Sequence, residues 1–90
     1  MSDLLLPGAE LIEGGLADLR IGAETDASLL VSMAAPRLRA LGFDVPEPLP
    51  DAELRLYRRL ATRHGAAAHA RYNALVRRLV SFQRAAACAR

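Results

Sequence analysis

The sequence predicts an all-α protein, a small four-helix bundle-like domain with a broken second helix and a proline-rich connector. Alanine and leucine supply 18 and 16 of the 90 residues, whereas valine, isoleucine and threonine together supply eight. This balance favours helix over sheet. Apolar residues recur at helical spacing in four segments of one domain spanning residues 1–90, and these segments run approximately over 7–20, 26–41, 51–64 and 66–87.

The first helix is predicted over residues 7–20. Pro7 suits its first turn, and its apolar stripe consists of Leu11, Ile12, Leu16 and Leu19. Gly14 and Gly15 interrupt the stripe, although glycine disfavours a helix interior. We therefore expect that another helix crosses closely at these glycines or that the helix bends there.

The second helix is expected to begin at a cap formed by Thr25 or Asp26. It is apolar on nearly every side, which is typical of a helix that is central in its bundle or shares a face with a partner chain. Pro36 predicts a break at residues 34–36, followed by a short helix that ends at Gly42. The candidate partner interface on this helix consists of Leu29, Leu30, Val31 and Met33.

The stretch FDVPEPLPD contains three prolines in nine residues and predicts an ordered connector, laid over the core by Phe43 and Val45. A third helix then runs to a stop at Gly65. Its predicted apolar arc contains Leu54, Leu56, Tyr57, Leu60, Ala61 and His64. The fourth helix has an arc of Tyr72, Leu75, Val76, Leu79, Phe82, Gln83 and Ala86. Both tyrosines are therefore expected to pack in the core.

Charge is divided unevenly between the two halves of the chain. Residues 1–45 carry three arginines and seven acids, and residues 46–90 carry nine arginines and three acids, for a net charge of +2. Either the acidic half neutralises the basic half within the bundle, or a basic face is offered to an acidic partner. The candidate basic surface consists of Arg58, Arg59, Arg71, Arg77 and Arg78.

The sequence predicts no enzyme, no cofactor and no metal site. His64 and His69 are separated by Gly65 and do not share a helical face, and no second cysteine or nearby acid completes a zinc set. Ser28, Ser32 and Ser81 lack a positioned base. A basic amphipathic helix can bind a membrane surface, but the apolar arc of the fourth helix is only as wide as a bundle needs, so no membrane partner is expected.

A single cysteine, Cys88, excludes a disulfide within the chain and favours the reducing cytoplasm. Asp3 stands where a signal peptide would carry positive charge, which is consistent with that location. The function expected first is a non-catalytic helical protein-interaction module, either a homodimer or a small adaptor or antidote-type regulator of a larger protein. The alternative is a nucleic-acid-binding protein that uses its arginine-rich C-terminal half.

Overall fold

The computed structural model describes residues 6–89, and every regular element in that part of the chain is helical. The elements are α1 (Ala9–Arg20), α2 (Asp26–Met33), α3 (Ala35–Ala40), α4 (Ala52–His64), a 3₁₀ turn (Gly65–Ala67) and α5 (Ala68–Ala89). Helices α2 and α3 are the two parts of the predicted second helix. The prediction of an all-α, four-helix bundle-like fold is therefore confirmed. Asp3, whose charge is unlike that of a signal peptide, lies outside the described residues.

The first helix begins slightly later than its pattern predicts. Pro7 lies in the turn before α1 and not in its first turn, because Gly8 is the residue that precedes the helix. Gly8 has a φ of 79°, and a Cβ at this position would lie 2.9 Å from the carbonyl oxygen of Arg78. Glycine therefore permits both the turn into α1 and the close approach to α5.

The second helix begins at a capping box. The backbone N–H of Ser28 donates to the Thr25 side chain, and the Ser28 hydroxyl oxygen accepts from the Thr25 backbone N–H. The Thr25 hydroxyl also donates to Asp18 at 2.8 Å, which joins the end of α1 to the start of α2. Of the two predicted caps, Thr25 is the one observed, and Asp26 is the first helical residue.

The predicted break falls at Ala34, the single residue between α2 and α3. Pro36 lies in the first turn of α3, where the missing N–H leaves no hydrogen bond unmade. Helix α3 ends close to Gly42, whose φ of 100° suits glycine. The proline thus lies at the start of a separate short helix.

Helices α1 and α2 cross closely at Gly15. A Cβ at Gly15 would lie 2.4 Å from the carbonyl oxygen of Ala27 and 2.9 Å from a methyl group of Val31. Gly14, its neighbour, is exposed, and a Cβ there would meet nothing within 4 Å. Of the two expected explanations for this glycine pair, close crossing therefore applies to Gly15.

Helix α2 lies at the centre of the fold, in contact with α1, α3, α4 and α5. Leu29, Leu30 and Val31 have 0% of their surface exposed, and Met33 is partly buried against the same core. Leu29, Leu30 and Val31 therefore cannot form the predicted partner interface, and of its four residues only Met33 has surface exposed. The apolar side chains of α2 are covered within one chain, because neighbouring helices pack against this helix on several sides.

The proline-rich connector is held against the core by side chains from three helices. Arg39 donates to the carbonyl oxygens of Val45 at 2.9 Å and Pro46 at 3.2 Å. The hydroxyl oxygen of Ser32 accepts from the backbone N–H of Leu49 at 3.0 Å. Val45 is buried, and the ring of Phe43 packs 5.4 Å from that of Phe82. The connector is ordered and covers the core as predicted.

Candidate functional site

Among residues 6–89, three ion pairs join the acidic half of the chain to the basic half. Glu24 pairs with Arg55 at 3.1 Å, and Asp26 pairs with both Arg59, at 2.9 Å, and Arg63. Burial by itself raises the pKa of Asp26, but hydrogen bonds from the two arginines outweigh it, so the pKa lies below its ordinary value. The charge asymmetry is thus partly neutralised inside the bundle.

These pairs change the composition of the predicted basic surface. Arg59 does not belong to a free basic face, because its guanidinium is engaged by Asp26. Arg58, Arg71, Arg77 and Arg78 are exposed and make no ion pair with another residue in the described range. What remains of the predicted basic surface is therefore mostly a set of arginines on α5.

A different surface is produced by residues that the sequence predicts to be in the core. Helix α4 buries Ala52, Leu56 and Leu60, which recur every four residues. Leu54 and Tyr57 are 52% and 37% exposed, and Ala61 is also exposed. The predicted apolar arc of α4 is therefore too wide. Leu54 lies about 200° around the helix from Leu56, at roughly 100° per residue, and so cannot share its face.

Leu54 and Tyr57 belong to an open groove of about 630 Å³ between the first turns of α4 and the first turns of α5. We call it the aromatic groove, and its lining residues are Asp51, Ala52, Glu53, Leu54, Tyr57, His69 and Tyr72. The 3₁₀ turn folds α5 back alongside α4, which brings residues distant in sequence together. The groove therefore depends on the α4–α5 hairpin.

Three rings form the wall of the aromatic groove. The ring centroids of Tyr57 and Tyr72 are 5.6 Å apart with an interplanar angle of 56°, and those of Tyr57 and His69 are 6.3 Å apart at 53°. Tilted arrangements at these distances are favourable for aromatic pairs. Tyr57 of α4 thus packs against two rings that α5 presents three residues apart.

A hydrogen bond crosses the groove from α5 to α4. The Tyr72 hydroxyl donates to Oε2 of Glu53 at 3.1 Å. Burial, the hydrogen bond to Glu53 and the charge of that carboxylate hold the pKa of Tyr72 above its ordinary value. This contact orients the carboxylate.

The mouth of the groove is shaped by an unusual backbone conformation at Asp51. This residue has a φ of 51° and a ψ of 39°, a left-handed conformation that aspartate tolerates better than most residues. The Arg55 guanidinium donates to the carbonyl oxygen of Pro50 at 3.1 Å, and the Asp51 carbonyl accepts from the Arg55 backbone N–H. The sharp entry into α4 brings Asp51 to the rim of the groove.

The two histidines lie at different sites. His69 follows the first residue of α5, as predicted, and faces the aromatic groove. His64 is half-buried at the last residue of α4, beside a small opening that Arg71 and Arg78 also line. Within residues 6–89, no three His, Cys, Asp or Glu side chains are grouped closely enough to hold a metal ion.

No protein-family model, curated protein or solved structure shows significant similarity to this chain. No helix among the described residues combines the length and apolar composition needed to cross a membrane.

Sequence reasoning missed the aromatic groove as a site. It placed Tyr57 in the core with Tyr72, although only Tyr72 packs against the core cluster, and it considered Asp51 only as a possible start of the third helix and Glu53 not at all. The position of Leu54, on the opposite side of α4 from its buried stripe, was the signal in the sequence that could have revealed a second apolar face.

Proposed function

We propose that this chain is a non-catalytic helical protein-interaction module whose partner, a larger protein, docks on the aromatic groove. The supporting observation is the exposure of Leu54 and Tyr57 in the same depression. Aromatic side chains are enriched in protein interfaces and in their energetic hot spots. A partner that covers this depression removes apolar surface from water, which stabilises the complex.

The residues of the groove suit recognition by contact. Its wall combines rings, a leucine side chain and an oriented carboxylate, which together supply apolar area and directional hydrogen bonding. The single cysteine, the exposed Cys88, fits a reducing compartment. As part of the same proposal, we assign the protein to the cytoplasm, as a small adaptor or antidote-type regulator.

Self-association was expected from the apolar residues of α2, and three of those four side chains, Leu29, Leu30 and Val31, are fully buried. We therefore favour a different protein over a second copy as the occupant of the groove. Sedimentation velocity at tens of micromolar protein shows whether a second copy occupies the groove, because it distinguishes a monomer from a dimer. A monomer is the expected result, and a dimer that Leu54→Ser dissociates would assign the groove to a second copy.

The docking surface is tested by peptide selection against the immobilised full chain. Peptides retained by the wild type should be lost on Leu54→Ser, with at least a tenfold fall in affinity. Ile21→Ser is the matched control, because Ile21 is 80% exposed and lies outside the groove. Selected peptides that bind Leu54→Ser as well as the wild type would refute the groove as the docking site.

Nucleic-acid binding is the second candidate, favoured by the exposed arginines of α5. Arg71 and Arg78 are seven residues apart, so they point to the same side of the helix, and neither has an ion-pair partner among the described residues. Fluorescence anisotropy with a short DNA duplex tests it. Binding should weaken steeply with salt, and Arg71→Gln with Arg78→Gln should lower the log–log slope by about 1.8. Absence of binding at 50 mM salt would exclude this candidate.

A further inference from the structure

We propose that the aromatic groove receives an arginine side chain of the partner, with its guanidinium against the tyrosine rings and paired with Glu53. This inference rests on the proposed function, because it names the chemistry of the segment that docks there. The ligand class is a peptide segment that presents an arginine.

The groove is acidic within an otherwise basic half of the chain. Residues 46–90 contain nine arginines and only three acids. Two of those three acids, Asp51 and Glu53, line the groove, and its described lining contains no arginine. A cation is therefore attracted to this depression, although the surrounding half of the molecule repels cations.

The rings supply a second attraction for the same ligand. A guanidinium placed over the face of a tyrosine is attracted by the electrons of the ring, and arginine takes part in such contacts more often than lysine. Tyr57 is 37% exposed, so part of its ring is open to a ligand. Tyr72 packs 5.6 Å from it. The pair thus offers an aromatic wall beside the carboxylates.

Glu53 makes the site selective for arginine. The Tyr72 hydroxyl holds one carboxylate oxygen of Glu53, Oε2, at 3.1 Å. The carboxylate is thereby oriented before the ligand arrives. A planar guanidinium can pair with a carboxylate through two parallel hydrogen bonds and at the same time stack on a ring, whereas an ammonium group cannot do both.

The test uses three synthetic peptide pools with a fixed central residue, arginine, lysine or citrulline, and flanking positions randomised over uncharged residues other than tyrosine and tryptophan. Citrulline has nearly the shape of arginine but no charge. The full-length protein should retain the arginine pool at least ten times more strongly than the citrulline pool, with lysine between them. Because Tyr57 and Tyr72 are the only tyrosines and tryptophan is absent, intrinsic tyrosine fluorescence reports binding directly from the groove.

Two variants decide whether Glu53 provides the selectivity. Glu53→Gln should lower the preference for arginine over citrulline at least threefold, although Asp51 and the rings remain, and Glu47→Gln, at an exposed acid on the connector, should leave it at its original value. Circular dichroism confirms that both variants fold, since both positions are exposed.

The possible outcomes separate this inference from the proposed function. If Leu54→Ser loses both pools but the wild type retains arginine and citrulline peptides equally, the groove binds peptides and the arginine inference is wrong. A preference for arginine that Glu53→Gln leaves unchanged also overturns it. If no pool is retained, or if retention survives Leu54→Ser, both proposals fail.

Discussion

The adjacent glycines of α1 should respond to the same substitution with opposite signs. Gly14→Ala and Gly15→Ala each add one methyl group to a helix interior, and each gains about 1 kcal/mol of helix propensity. At Gly14 the new Cβ meets nothing within 4 Å, so the gain is realised in full. We expect the midpoint of thermal unfolding to rise by roughly 4–8 °C for each 1 kcal/mol in a domain of this size.

At Gly15 the added Cβ would lie 2.4 Å from the carbonyl oxygen of Ala27, where ordinary contact begins at 3.4 Å. The backbone of α2 must therefore retreat by about 1 Å, and it carries core residues with it. Overpacking of this kind costs typically about 1–3 kcal/mol, and contact with backbone places the cost at the upper end. After the gain in propensity is subtracted, Gly15→Ala should lower the free energy of unfolding by about 2 kcal/mol.

Urea and thermal unfolding followed by far-ultraviolet circular dichroism measure both variants against the wild type. The expected separation between the two alanine variants is about 3 kcal/mol. If Gly15→Ala is as stable as Gly14→Ala, helices α1 and α2 do not cross at this distance, and the reasoning about their packing is refuted.

Three further predictions concern a helix cap, an ion pair and the aromatic groove. Thr25→Ala should lower the free energy of unfolding in urea by about 1 kcal/mol, because it removes the cap of α2. Asp26→Asn should cost about 1 kcal/mol at neutral pH. The folded pKa of Asp26 is lowered, so this contribution is complete above the unfolded pKa of about 3.9 and is lost as the pH falls through the folded pKa. In a Tyr57→Phe background, ultraviolet titration should show that Glu53→Gln lowers the pKa of Tyr72 toward its ordinary value, because the neighbouring negative charge is removed.

Each of these three predictions has a matched control at an exposed position. Thr62→Ala on α4 should change stability by less than about 0.5 kcal/mol, since its hydroxyl bonds only to the carbonyl of the preceding turn. Asp44 and Glu47 are exposed acids on the connector. Asp44→Asn should not reproduce the pH-dependent loss of stability, and Glu47→Gln should not change the pKa of Tyr72. An equal effect of a substitution and its control would contradict the assigned contact.

The order of helices could be predicted because local signals agree with the packing. Glycine and proline mark the ends of segments, the break near Pro36 follows from its missing N–H, and Gly65 ends α4. The neighbours of each helix could not be predicted in the same way, because they depend on contacts between segments far apart in sequence. The apolar α2 illustrates this, because its pattern fits a central helix and a dimer interface equally well. Only the positions of the neighbouring helices show that Leu29 and Val31 are covered within the chain.

Helix α4 shows why the candidate site could not be predicted from the helical spacing of apolar residues. A wheel groups apolar residues into one arc whenever they are close in angle, and it assigns that arc to the core. The stripe of Ala52, Leu56 and Leu60 is the part of α4 that is buried, and the side chains of Leu54 and Tyr57 remain partly exposed. Residues at functional surfaces are selected for binding as well as for folding, so a pattern that considers folding alone is expected to misplace some of them. Leu54 and Tyr57, two side chains that the pattern assigns to the core, line the aromatic groove instead, and this is the reason for directing the binding experiments to it.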